Sequence, residues 1–95
     1  MSAASKGALE IAVKGIALEL APKGVTVNCV IPGAIQKDHL EDSVSDEELQ
    51  EQARTIPLGR AGKPADVAAA IGFLLSPGAG YITGQALHVN GGLHI

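Results

Sequence analysis

The sequence holds one cysteine, one tyrosine, one phenylalanine and no tryptophan. A single cysteine excludes a disulfide framework and a cysteine-based zinc site. Aromatic residues make up 2% of the chain, which removes the stacking surfaces that single-stranded nucleic acids need. Lys and Arg number 7 against 10 Asp and Glu, giving a net charge of −3 with no basic cluster. Neither nucleic acid nor an anionic membrane surface is therefore an expected partner. The longest run of apolar or glycine residues, Val67 to Leu75, is too short to span a bilayer. The opening residues carry no basic-then-apolar leader. His39, His88 and His94 are too dispersed to form a metal-ligand pattern. No Gly-x-Ser-x-Gly nucleophile turn occurs. The expectation is a soluble, cytoplasmic protein without a metal.

What remains is 95 residues with 46% hydrophobic side chains, enough for one small domain or part of a larger one. Its core has to be built from Ala, Val, Ile and Leu. Residues 3–21 read as a helix with Leu9, Val13, Ile16 and Leu20 on one stripe. Ala4, Ala8, Ile11, Gly15 and Leu18 form a second apolar face. A helix apolar on two faces is expected to be covered on both. Pro22 and Gly24 stop it. The β-branched stretch 25–31 reads as a strand, with Val25, Val27, Cys29 and Ile31 on one side, and Pro32-Gly33 ends it. Ser45-Asp46-Glu47-Glu48 is a capping box with Val44 and Leu49 as the hydrophobic staple, announcing a helix to about Arg54. Pro64 opens a third helix, Asp66 sits near its positive end, and Val67, Ile71 and Leu74 are its expected inward face. Residues 86–89 read as a short strand closed by Gly91-Gly92. Helix, strand, helix, helix, strand indicates parallel α/β structure. Two strands do not make a stable sheet, and the first would carry an open apolar edge. The chain is thus expected to self-associate or to be the back half of something larger.

Few residues suggest chemistry by themselves. Lys6, taken alone, reads as a surface lysine paired with Glu10 one turn on. Pro32-Gly33 reads as a turn, at a strand's carboxyl end, where open α/β sheets place ligands. The glycines at 78, 80 and 84 imitate a dinucleotide fingerprint, but the third is one place late and the run precedes a strand. Residues 38–51 carry seven of the ten acidic residues and no Lys or Arg, the pattern of a solvated face. Cys29, among aliphatic residues, reads as a small core side chain.

Six ordered blocks resemble the short-chain dehydrogenase/reductase family. They are Ser5-Lys6-Gly7-Ala8-Leu9, Ala17 to Gly24, Val27 to Ile35, Ile56 to Pro64, Tyr81-Ile82-Thr83-Gly84-Gln85 and His88-Val89-Asn90-Gly91-Gly92. Their order resembles the family's carboxy-terminal part over nearly the whole chain. The Val-Asn-Gly-Gly ending is most similar to 3-oxoacyl-[acyl-carrier-protein] reductases, and Gly92-Leu93-His94 is similar also to acetoacetyl-CoA reductases.

The resemblance implies the carboxy-terminal part of a Rossmann-type parallel sheet, an NADP(H) or NAD(H) cofactor, and hydride transfer between nicotinamide and a carbonyl or alcohol. It implies that Lys6 is the family's lysine, which holds the nicotinamide ribose and lowers the pKa of a tyrosine hydroxyl. Ser2 stands where that tyrosine belongs, and Tyr81 matches a structural tyrosine instead. Pro32, Gly33, Ala34 and Ile35 would line the nicotinamide, and Lys37 stands where the family usually has a Thr that contacts the cofactor. The acidic stretch would be the family's substrate-side lid. The family's glycine-rich phosphate loop and catalytic serine precede the first helix of the resemblance and have no counterpart here. The chain is therefore expected to be inactive alone, and NADP binding by it alone to be compromised. The alternatives are a non-catalytic module that binds a second copy or a full-length relative, and an inert truncated product.

Overall fold

A computed structural model describes residues 3–36 and 46–93. The elements run α1 (Ala3–Leu20), β1 (Cys29–Pro32), α2 (Asp46–Thr55), α3 (Pro64–Leu74) and β2 (Ala86–Val89), with short 3-10 turns at Ala21–Lys23 and Pro77–Ala79. The order is the one read from the sequence. β1 and β2 pair in parallel, Cys29 opposite Ala86 and Ile31 opposite His88. Ser45 and Val44, proposed as cap and staple of α2, lie outside the described residues, as do Ser2, Lys37, His39 and His94.

The helix α1 ends where Pro22 removes a backbone donor and Gly24, at φ 76°, returns its N–H to the Ala21 carbonyl. Its inward stripe keeps Val13 and Leu20 of the expected one but is rotated away from Leu9 and Ile16. Val13 and Ala17 are buried, with Lys6, Glu10 and Leu20 half-buried along the same line, while Leu9 and Ile16 are 37% and 46% exposed. The close approach of Gly84 explains this rotation. A Cβ on Gly84 would stand 3.5 Å from the Ala17 Cβ, so the methyl of Ala17 fits beneath the Thr83–Gln85 turn and a Leu or Ile would not. The second apolar face, Ile11 and Leu18, is 74% and 78% exposed.

The first strand is shorter at its start than the β-branched run suggested. Before Cys29 the chain is held by side chains instead of a ladder. Val27 N–H donates to Thr83 Oγ1 at 3.0 Å, and Gly84 N–H donates to the Val27 carbonyl at 2.8 Å. The Asn28 amide donates to the Ile82 carbonyl at 3.1 Å and accepts from Gln85 N–H at 3.0 Å. Asn28 thus satisfies the turn's backbone where no strand partner exists. From Cys29 onward the alternation is regular. Ile31 packs under α1 and is 2% exposed, while Val30 faces α3 across a groove shared with Ile71 and Leu74. Ile71, expected inside, is 44% exposed at that groove, and Val67, Ala70 and Leu74 carry the half-buried stripe of α3.

The core is small. Val13, Ala17, Ile31, Ile56 and Ala79 are the buried apolar residues among those described. A compact monomer of 9.6 kDa has about 5,100 Å² of accessible surface; this chain exposes 6641 Å². Its radius of gyration is 15.5 Å, against about 12 Å for a closed domain of this length. Two helices on a two-stranded sheet leave much of the inner surface uncovered. No described helix is long and apolar enough to cross a membrane.

Candidate functional site

The two strands deliver their carboxyl ends side by side, and the candidate residues gather there. Gly33 N–H donates to the Val89 carbonyl at 3.0 Å, extending the ladder by one residue. The approach is tight: a Cβ on Gly33 would meet the Asn90 Cβ at 2.7 Å and its Cα at 3.0 Å. Only glycine permits it. Asn90 is itself fixed, because its Oδ1 accepts from Gly92 N–H at 3.0 Å. This Asx turn folds the Asn-Gly-Gly ending back on itself.

Lys6 reaches this point from the first turns of α1. It lines a cleft of about 10 Å³ with Pro32, Gly33, His88 and Asn90. The expected pairing of Lys6 with Glu10 does not form; Glu10 Oε1 lies 3.5 Å from His88 Nε2 instead. Glu10 turns toward β2, where His88 takes it, and Lys6 lines the cleft at the strand ends. His88 was a member of a recognised block but not a candidate for this position, and only the strand register opposite Ile31 reveals it.

Ala34 and Ile35 lie on the far side of the same turn. Gly62 N–H donates to the Ala34 carbonyl at 2.9 Å, and Gln36 N–H to the Gly62 carbonyl at 2.7 Å. Ile35 therefore faces the segment before α3, where its Cδ1 stands 2.8 Å from the place of a Gly62 Cβ. Ala34 borders a second cavity of about 220 Å³, which Arg60, Asp66 and Asn90 also line. Of the six candidates, the structure brings Lys6, Pro32 and Gly33 together, sets Ala34 and Ile35 behind them, and leaves Lys37 outside the described residues.

A clamp absent from the sequence reading holds the turn. Asp66, in the first turn of α3, accepts from Arg60 Nη1 at 3.0 Å and from Lys63 N–H at 2.8 Å. The Arg60 hydrogen bond, then the Lys63 backbone donor, holds the Asp66 carboxyl below the usual carboxylate range, and the same bond raises the Arg60 guanidinium. Leu58 N–H donates to the Gly91 carbonyl at 3.0 Å, tying the same segment to the end of β2. No spacing rule singles this pair out: Arg60 lies in the loop and Asp66 in the first turn of α3, six residues on.

Two other features have no role at the site. Burial pushes the Cys29 thiol up, Glu10 adds to this and Lys14 opposes it; a raised thiol is a poor nucleophile. No cluster of metal-ligating side chains occurs among the described residues.

The described residues offer one wall to a dinucleotide and do not enclose one. The Lys6 cleft admits little more than a water molecule. Among the described residues no glycine-rich turn leads from a strand into the start of a helix, where a pyrophosphate would be received. An ammonium beside exposed backbone at the strand ends can bind hydroxyl or anionic oxygens, but it has no proton-transferring phenol beside it in the sequence.

The chain is similar to known proteins along nearly its whole length. A family model described as enoyl-(acyl carrier protein) reductase matches residues 1–94. The chain is 48% identical over 90 residues to the 3-oxoacyl-[acyl-carrier-protein] reductase FabG of Rickettsia bellii, covering 95% of this chain and 37% of that protein. It is 44% identical over 93 residues to FabG of Vibrio cholerae, covering 98% of this chain and 38% of that one. Among solved structures it resembles the acetoin dehydrogenase YohF of Salmonella typhimurium, at 40% identity and TM-score 0.77, over 94% of this chain and 35% of that chain. It also resembles YwfH, an NADPH-dependent reductase of bacilysin biosynthesis, at 34% identity and TM-score 0.76, over 90% and 36%. The chain spans a little over a third of the length of the relatives it matches.

Proposed function

Because the chain belongs to the short-chain dehydrogenase/reductase family, we propose that it is the carboxy-terminal portion of a cytoplasmic NADP(H)-dependent reductase that converts a carbonyl to an alcohol, of the 3-oxoacyl-[acyl-carrier-protein] type, and that it is inactive alone. The observation that carries this reading is the meeting of Lys6, Pro32 and Gly33 in one cleft at the strand ends. A bound NADP(H) would supply the hydride. Lys6 would hold ribose hydroxyls and stabilise a phenolate placed beside it. Pro32 and Gly33 would exclude water from one side of the nicotinamide, and the clamped Ala34 and Ile35 would keep that wall rigid. Ser2 stands at the position of the acid, and an aliphatic hydroxyl is far less acidic than a phenol, so Ser2 does not replace it as proton donor. Acetoacetyl-CoA is the alternative substrate, on the evidence of the tail alone.

A chimera tests it. Residues 3–93 of this chain, grafted onto Vibrio cholerae FabG in place of its matching segment and behind that enzyme's own tyrosine, are expected to restore NADPH-dependent ketone reduction. Lys6→Met in the chimera is expected to lower kcat by about 10²–10⁴-fold. A well-folded chimera whose turnover is unaffected by Lys6→Met would contradict the assignment.

The second reading is a non-catalytic assembly module that binds a second copy or a full-length relative. The exposure of Ile11 and Leu18 at 74% and 78% favours it, since an apolar face left open on a soluble chain marks an interaction surface.

A further inference from the structure

Glu10 has a choice of partners and takes the one most distant in sequence. Lys6 precedes it by four residues and Lys14 follows it by four, so both are its neighbours on the surface of α1. Its carboxylate goes to neither: Oε1 lies 3.5 Å from His88 Nε2. The sheet delivers that imidazole. His88 stands opposite Ile31 in the parallel register, and paired residues point to the same side of the sheet. That side is the one α1 covers, since Ile31 is buried there. His88 also lines the Lys6 cleft, together with Gly33 and Asn90. Nε2 can hold a carboxylate in either charge state. The imidazolium does so as an ion pair, and the neutral tautomer protonated on Nε2 does so as an N–H donor.

We propose that His88 is a positioning residue: it holds Glu10 away from Lys6 and so keeps a carboxylate out of the cleft at the strand ends. The value of this to the site rests on the preceding reading of Lys6. An ammonium paired with Glu10 would have fewer donors left for ribose hydroxyls. The carboxylate would also offset the positive charge that favours a phenolate placed beside Lys6. His88 removes both effects without touching the cofactor or the reacting atoms. The contact is made between residues of α1 and β2 alone, so it does not depend on how far the sheet extends.

Released from His88, Glu10 turns to Lys6 in preference to Lys14. Lys6 and Glu10 are both half-buried on the inward side of α1, whereas Lys14 is exposed, where water and salt weaken a pair. The pair regained is a single helix pair four residues apart, which favours the ammonium form by about twofold.

Competitive acetylation of the lysines of the full chain at neutral pH, read by mass spectrometry, tests the proposal. The reagent attacks the free amine, so a carboxylate on Lys6 slows its labelling. Rates are referred to Lys23 and Lys63, which lie in other segments, and circular dichroism confirms the fold of each variant. His88→Leu is expected to slow Lys6 about twofold. His88→Gln, which keeps an N–H donor for Glu10, is expected to label as the parent does. Adding Glu10→Gln to His88→Leu is expected to restore the parental rate. Glu10→Gln alone is expected to leave Lys6 unchanged, and this arm stands even where His88→Leu does not fold. An unchanged Lys6 in folded His88→Leu overturns the proposal. So does a slowing that persists without Glu10, or one that falls on Lys14 instead. A faster Lys6 in Glu10→Gln alone overturns it too, since Glu10 would then already sit on Lys6. No cofactor enters the experiment, so its failure is distinct from a failure of Lys6→Met in the chimera.

Discussion

Gly33 and Asn90 touch backbone to backbone at the carboxyl ends of the two strands, with room for no side chain atom between them: a Cβ on Gly33 would lie 2.7 Å from that of Asn90. The contact fixes both the Pro-Gly-Ala-Ile turn and the Asn-Gly-Gly turn in one place. Gly33→Ala has to push the β2 end away or break the Gly33–Val89 hydrogen bond. It is expected to destabilise the chain by about 1–3 kcal/mol, measured by urea unfolding, whereas an unchanged midpoint would mean that the ends are not in contact.

The Arg60–Asp66 clamp predicts an acid-sensitive loop. The folded-state pKa of Asp66 is depressed below its ordinary 3.8, so its contribution is fully present above that value and is lost as pH falls through the lower, folded-state value. Asp66→Asn should therefore cost stability at neutral pH and cost progressively less below pH 3.8, with the two unfolding curves converging. A constant difference down to strongly acid pH would assign the effect to packing instead.

Substitutions on α1 separate its inward stripe from its second apolar face. Ala17 is 2% exposed, and Ala17→Leu should destabilise by about 1–3 kcal/mol through overpacking against the Gly84 turn. Ile11→Lys, at a site that is 74% exposed, should fall within about 0.5 kcal/mol of the parent. Thermal unfolding of the two variants checks the pair, and the reverse order would mean that the second face is the buried one.

Ile31 is the one large strand side chain that α1 covers, at 2% exposure. Ile31→Ala should cost about 2–5 kcal/mol. In so small a core that is enough to unfold the chain, and loss of the helical circular dichroism signal at room temperature is the expected observation.

The element order, all three helix positions and the last strand were legible because each rests on local chemistry: Pro22 and Gly24 as a stop, Pro64 and Asp66 as a start, Gly91-Gly92 as an end. The misreadings arise where a distant backbone decides. Leu9 and Ile16 complete an apolar stripe that is correct for a helix facing a broad sheet, but the Gly84 turn admits only the methyl of Ala17, and α1 rotates to meet it. Val25, Thr26 and Val27 have strand-forming side chains, yet a strand needs a neighbour, and the neighbour begins only at Ala86. Asn28 holds the gap with its amide, a role no propensity describes. At the site, Lys6 and Pro32-Gly33 stood out through their blocks of resemblance. His88 and the Arg60–Asp66 clamp did not, because their importance lies in register and in a contact between a loop and a helix start.

The most direct test of the account is an NADPH titration of the purified chain followed by cofactor fluorescence, with an acetoacetyl thioester then added to watch for oxidation. One wall of a cofactor site, without a phosphate loop and without a phenol, predicts neither saturable binding at micromolar concentration nor oxidation of NADPH. Saturable binding that Lys6→Met abolishes, or any turnover that tracks the protein through purification, would contradict it.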